Sequence, residues 1–157
     1  MTITVETNGR VQTLTLNRPK ALNAFNDGMY KAVGDALSAA ATDDDVSVVI
    51  ITGAGRAFSA GQDLGEMGDA TRREKGFVGQ FGYFIKTVAT FPKPLLAAVN
   101  GIGVGIGLTL LPHCDLVYMS NTARLPLSRG HRCPRMATDS TTTADTTAPQ
   151  LLSTTPA

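Results

Sequence analysis

Apolar and polar residues alternate from Thr2 to Thr7, with Ile3 and Val5 on one side, and again from Val11 to Leu16. Period-two alternation marks a strand with one face on a core. Asn8-Gly9 lies between the two runs and is a strong signal for a two-residue hairpin. Asn17-Arg18-Pro19 stops the second run, because proline has no N–H to give to a ladder. The period then changes. Met29, Val33, Leu37 and Ala41 recur every four positions behind Asn26 and Asp27, either of which suits a helix cap. A helix to Ala41 is predicted, closed by Asp43-Asp44-Asp45 as a solvated acidic turn. Ser47 to Thr52 reads as a strand buried on both faces. Phe77, Phe81, Phe84 or Ile85, and Val88 predict a second helix from Arg72 to Thr90, broken by Phe91-Pro92-Lys93-Pro94. Leu95 to Val99 is another buried strand, Ile106 to Leu111 a short helix ended by Pro112, and Cys114 to Ser120 a last strand. Strands alternating with helices predict an α/β fold with parallel pairings after the first hairpin.

A chain of 157 residues is one domain by length, and its 43% apolar and 17% charged residues fit a globular protein. A net charge of +1 gives no electrostatic case for nucleic acid. Two cysteines, Cys114 and Cys133, make neither a disulfide framework nor a metal-ligand spacing, and Cys114 reads as a small buried hydrophobe. The first residues lack the pattern of a signal peptide, and no run is long enough to span a membrane. A cytoplasmic protein is expected. Composition changes at Leu125. Pro126 to Ala157 holds no Phe, Trp, Tyr, Val or Ile, but four prolines and many threonines. Such a segment has little apolar surface to offset its ordering entropy. The expected division is therefore a folded core over 1–124 and a tail over 125–157 that is disordered or not native coding sequence, as after a frame change.

The chemistry lies in two glycine-rich segments, Gly53 to Asp63 and Ala98 to Gly107, each placed after a short apolar strand. Nucleotide loops are excluded. A dinucleotide fingerprint needs G-x-G-x-x-G or A, and the sixth positions counted from Gly101, Gly103 and Gly105 are Ile106, Leu108 and Leu110. No phosphate-cradling G-x-x-x-x-G-K-[ST] occurs either. These glycines serve tight turns and close packing, or else they let backbone N–H groups from two loops aim at one oxygen atom that gains charge during a reaction.

Several motifs occur together: Leu16-Asn17-Arg18-Pro19 with Ala21-Leu22-Asn23-Ala24; Arg56-Ala57-Phe58-Ser59-Ala60-Gly61-Gln62-Asp63-Leu64; Phe91-Pro92-Lys93-Pro94 through Ala98-Val99-Asn100-Gly101; and Cys114-Asp115-Leu116-Val117. In order and spacing the chain resembles the crotonase superfamily, the enoyl-CoA hydratase/isomerase family, over residues 3 to 124. The resemblance implies a crotonase-like ββα spiral, incomplete at the C-terminus, that binds acyl-CoA thioesters. It implies oxyanion donors at the N–H of Gln62 and of Ile106, the latter where the family usually has glycine. It places the adenine and phosphate end of coenzyme A near Arg56, Ala60 and Gly61. Coenzyme A belongs to the substrate, so no separate cofactor and no metal is expected. The family assembles as homotrimers.

The chain also departs from that pattern. The first hydratase glutamate would fall at Thr109, and a hydroxyl is a poor acid or base near neutral pH. Asn100 to Asp115 looks more like the 3,2-enoyl-CoA isomerase branch, which works with one carboxylate base beyond the Cys114 to Ser120 strand. The last glutamate of the chain is Glu74. An isomerase impaired by loss of its carboxylate is therefore expected; the alternatives are a hydratase, a non-catalytic acyl-CoA-binding protein, or a fragment that does not fold stably. Asp63 is expected to bond loop amides, Glu66 to be a solvated helix residue, His113 a packed or surface histidine, and the Phe77–Phe84 stripe core or acyl-chain wall.

Overall fold

The computed structural model describes residues 2–67 and 79–126; of Glu66, Met67 and Gly79 it describes only the backbone. Strands β1 (Ile3–Asn8) and β2 (Val11–Leu16) form the predicted antiparallel hairpin, with Asn8 opposite Val11. Its two loop residues are Gly9 and Arg10 rather than Asn8 and Gly9. Gly9 stands at φ +57°. A positive φ at the first central position is the type II′ arrangement, which asks for glycine there.

Helix α1 (Asp27–Thr42) begins as predicted, with Asn26 Oδ1 accepting from the Met29 N–H at 2.9 Å. Its buried residues are Met29, Tyr30, Val33, Gly34, Leu37 and Ala40, whereas Ala41 is half-buried. A step of four drifts around a 3.6-residue helix, so the last contact falls one position early. Strand β3 (Val48–Gly53) lies parallel beside β2. Strand β4 (Ala57–Ser59) leaves this sheet and is followed by the short helix α2 (Leu64–Met67). Helix α3 (Gly79–Ala89) packs on α1, and β5 (Leu95–Val99) lies parallel beside β3. Strand β6 (Ile102–Gly103) pairs in parallel with β4 as a separate two-stranded sheet. Helix α4 (Ile106–Thr109) gives way to a 3-10 turn over Leu111–His113, which contains Pro112. Strand β7 (Leu116–Met119) closes the main sheet, whose order is β1-β2-β3-β5-β7.

Every second residue of the central strands builds the core. Leu14 lies beside Ile51, Ile51 beside Ala97, and Val49 beside Leu95, and all five are buried. Phe84 and Val88 of α3 join the same cluster, as predicted. The opposite face of β3 and β5 is half-buried, so these strands are sealed on one face rather than two. Phe25, Tyr30, Phe81 and Phe84 form an aromatic knot with neighbouring ring centroids 5.0–5.5 Å apart. Burial there pushes the Tyr30 phenol up to about 12, with the Asp27 charge adding to it.

At the far edge the pattern fails. The predicted Cys114–Ser120 strand is shorter, and all four residues of β7 are exposed. Cys114 is half-buried; burial pushes its thiol up to about 11, helped by the Asp115 charge. Such a thiol stays protonated near neutrality and is a poor nucleophile. Asp115 fastens the start of β5, its Oδ2 accepting from the Leu95 N–H at 2.8 Å.

The predicted helix from Arg72 is described from Gly79 onward; residues 72–78, with Phe77, lie outside the described residues. So does the expected tail from residue 127. Leu125, placed in that tail by composition, packs against the core. Among the described residues no helix is long and apolar enough to cross a membrane.

Candidate active site

The site is built from the end of β2. After a 3-10 turn over Pro19–Ala21, Leu22 and Asn23 take φ values of +50° and +56°. That backbone is costly for leucine and easier for asparagine, whose short polar side chain bonds locally. Asn23 is fully buried. Its Nδ2 donates to the carbonyls of Ala54 (2.9 Å) and Ala57 (2.8 Å), and its Oδ1 accepts from the Arg18 N–H at 2.9 Å. Its own carbonyl accepts from the Ser59 hydroxyl at 2.9 Å. One side chain thus pins the first glycine segment to the end of the hairpin.

The next residues lock the loop in register. The Ala60 N–H donates to Leu22 O (2.9 Å), the Phe25 N–H to Gly61 O (2.7 Å), and the Asp63 N–H to Phe25 O (2.8 Å). Phe25 therefore bonds the residues on either side of Gln62. In an extended pairing of this kind the N–H and C=O of the skipped residue point to the other side. Gly61, just before it, sits at φ +92°.

Arg18 braces the same loop from its side chain. Nη1 donates to Ala24 O at 2.6 Å, and Nη2 pairs with Asp63 Oδ2 at 2.8 Å. The Asp63 Oδ1 accepts from the Gly65 N–H at 3.0 Å, where α2 begins. The loop-bonding role expected for Asp63 is present, and the arginine is an addition to it. Its hydrogen bond to Arg18, with further help from the Gly65 N–H, holds the Asp63 carboxyl below its usual range despite some desolvation. A carboxylate with a depressed folded pKa stabilises the fold above its unfolded pKa, near 3.9 for aspartate, and that contribution is lost as pH falls further. We expect Asp63→Asn to lose stability at pH 7 and to show a shallower fall below about pH 4 than the parent. Urea midpoints at pH 3 and pH 7 measure this; parallel pH profiles would refute it.

The second glycine segment docks on the first. Asn100 Oδ1 accepts from the Gly53 N–H at 3.1 Å, and its Nδ2 donates to Gly55 O at 2.9 Å. The Val104 N–H donates to Ser59 O at 2.9 Å. The Gly107 N–H then returns to Val104 O at 2.9 Å, with Gly105 at φ +54°, ψ −119°. Those angles make Val104–Gly107 a type II′ turn, which needs glycine at its first central position. Ile106 has no positive φ, so the glycine requirement at this turn falls on Gly105 instead. The Ile106 side chain is buried in the core.

The two loops meet at their glycines. A Cβ on Gly105 would stand 3.4 Å from Gly61 Cα, and one on Gly61 would stand 3.1 Å from Val104 O. The residues that follow this contact are Gln62 in the first loop and Ile106 at the start of α4. Among the described residues, the N–H of neither has an acceptor. Gly107 leaves no more room, since its Cβ would lie 2.8 Å from Ser59 O.

Of the other candidates, Arg56 is exposed at the loop between β3 and β4, Ala60 is half-buried and Gly61 buried. Thr109 is exposed, its hydroxyl 3.5 Å from Ile106 O. His113 is exposed on the 3-10 turn after α4. The side chain of Glu66, and Glu74 and His131 entirely, lie outside the described residues. Among the described residues no group of three His, Cys, Asp or Glu could hold a metal ion.

The motif order and this architecture agree with comparisons against known proteins. The family model for enoyl-CoA hydratase/isomerase matches residues 6–131. The chain belongs to the enoyl-CoA hydratase/isomerase family. It is 37% identical over 123 residues to 1,2-epoxyphenylacetyl-CoA isomerase of Escherichia coli, covering 75% of this chain and 47% of that one. It is 40% identical over 126 residues to enoyl-CoA delta isomerase 2 of Rattus norvegicus, covering 77% and 32%. A crystal structure of an enoyl-CoA hydratase from Mycobacterium marinum superposes with a TM-score of 0.70 at 50% identity, covering 78% of this chain and 59% of that one. The expected crotonase-type fold is therefore present. The chain spans about half the length of the first curated relatives that it matches.

Proposed function

We propose that the two glycine loops bind an acyl-CoA thioester and hold its carbonyl oxygen between the N–H groups of Gln62 and Ile106, in the service of double-bond isomerisation of an enoyl-CoA. The observation that carries this reading is the contact of Gly61 with Gly105, which brings two N–H groups without an acceptor among the described residues onto touching loops. Taking a proton from the carbon next to a thioester puts charge on the carbonyl oxygen. Preorganised amides aimed at it are each worth roughly 3–4 kcal/mol. Arg56, Ala60 and Gly61 lie on the first loop, where the nucleotide end of coenzyme A would dock, and the chemistry needs no other cofactor.

Isomerisation is favoured over hydration because Thr109 stands three residues beyond Ile106, where a hydratase of this family would carry a glutamate. Asp63, the carboxylate nearest the first donor in sequence, is held by Arg18 and Gly65. The chain is therefore read as a stabiliser of the enolate with impaired turnover.

A 3-oxoacyl-CoA such as acetoacetyl-CoA tests both halves, because it forms its enolate without a strong base and the enolate absorbs in the ultraviolet. With the 157-residue chain, the bound ligand is expected to ionise about two pH units or more below the free ligand. Conversion of a 3-enoyl-CoA is expected to run at least about 100-fold below that of a full-length relative. Binding with no shift of the enolate would leave a plain acyl-CoA-binding protein; turnover equal to the relative's would remove the impairment.

A further inference from the structure

Ser59 ends β4 fully buried and is bonded to three segments of the chain. Its hydroxyl donates to Asn23 O at 2.9 Å and accepts from the Gly61 N–H at 3.2 Å, so the same short side chain serves as donor and acceptor. Its carbonyl accepts from the Val104 N–H of the second glycine loop at 2.9 Å. Gly107 leaves the room that Ser59 fills, since a Cβ there would stand 2.9 Å from Ser59 Cβ.

These bonds bear on where the Gln62 N–H is aimed. A trans peptide group is planar, so that N–H points opposite to the Gly61 carbonyl. The Phe25 N–H holds the Gly61 carbonyl at 2.7 Å. The peptide before it, between Ala60 and Gly61, is held by the Ser59 hydroxyl through the Gly61 N–H. The rotation between these two planes is the φ of Gly61, +92°. Glycine has no side chain to restrict that angle. A hydroxyl bonded to the N–H two residues further on restricts it instead. We propose that Ser59 is a positioning residue for the oxyanion site: its hydroxyl sets the direction of the Gln62 donor, and its carbonyl ties that donor's loop to the loop that carries Ile106. Being fully buried, it acts through the backbone and not on the ligand. The inference rests on the reading of Gln62 and Ile106 as the two donors.

Acetoacetyl-CoA bound to the 157-residue chain reads the effect. Ser59→Ala is expected to raise the ionisation pH of the bound ligand by about one unit, a roughly tenfold loss of enolate, because a misaimed donor forfeits part of what a missing one does. Ser59→Cys, whose sulfur is a weak donor and a weak acceptor, is expected to fall between Ser59→Ala and the parent. Val46 is buried just before β3, at the end of that strand away from Gly53. Val46→Ala is expected to lower the urea midpoint and leave the ligand's ionisation unchanged, which separates aim from stability. A parent that does not lower the ligand's ionisation pH would remove the oxyanion reading and this inference with it. A parent shift kept in full by either Ser59 variant, or lost equally in Val46→Ala, would overturn this inference alone.

Discussion

Asn23→Ala is expected to lower the unfolding free energy by about 3–5 kcal/mol, one of the two largest effects of a single change in this chain. Alanine loses the donor to the Ala54 and Ala57 carbonyls and the acceptor for the Arg18 N–H. Each buried group left unpaired costs about 1–3 kcal/mol. Alanine must also keep a left-handed backbone at φ +56°, at a further cost of about 1–2 kcal/mol. Partial relaxation keeps the total below the sum. Asn23→Gly separates the two causes: it removes the same hydrogen bonds but relieves the backbone, and should recover about 1 kcal/mol. Urea unfolding followed by circular dichroism measures both. A loss under 1 kcal/mol in Asn23→Ala would mean that the first glycine loop is held by something other than this side chain.

That residue marks the limit of what the sequence made legible. Strand β2 and helix α1 are readable because each buries a periodic set of side chains: Leu14 and Leu16 on β2, and Met29, Val33 and Leu37 on α1, stand where period two or period 3.6 puts them. On β3 only Val49, Ile51 and Gly53 are buried, an alternation that its unbroken apolar run conceals. The glycine loops were readable as sites of close approach, and Gly107 against Ser59 is one. The bracing was not. In the sequence Arg18 stands in a strand-ending tripeptide and Asn23 and Asn100 are letters of family motifs, yet the three join β2, the first loop and the second loop across as many as 47 residues. Hydrogen bonds between distant segments leave no periodic trace. The one local hint was an asparagine after a Pro-initiated turn, a place where left-handed backbone is tolerated. The exposure of β7 was hidden for a different reason. A run such as Leu-Val-Tyr-Met says that a strand is meant to be covered, not what covers it.

Gly105→Ala is expected to raise the ionisation pH of a bound 3-oxoacyl-CoA by about two units, with Gly28→Ala unchanged. Gly105 at φ +54°, ψ −119° holds the peptide that carries the Ile106 N–H, while its own carbonyl accepts from the N–H groups of Leu108 and Thr109 at 2.9 Å each. Alanine has two ways out. It keeps the conformation at a strain of about 1–3 kcal/mol, or it flips the 105–106 peptide, which turns the Ile106 N–H away and breaks both bonds at the start of α4. Its Cβ would only touch Gly61 Cα, at 3.4 Å, so the effect comes from the backbone and not from crowding. Either route moves the Ile106 amide relative to Gln62, and loss of one aimed donor is worth about 10²–10³ in stabilising an oxyanion. Gly28 lies in the first turn of α1, where an added Cβ meets only Asn26 Oδ1 at 3.7 Å. Alanine there should stabilise the helix by up to about 1 kcal/mol and leave the ligand's ionisation alone. If Gly105→Ala binds the ligand and ionises it at the parent's pH, the Ile106 N–H is not a donor, and the oxygen must be held from Gln62 and some other group.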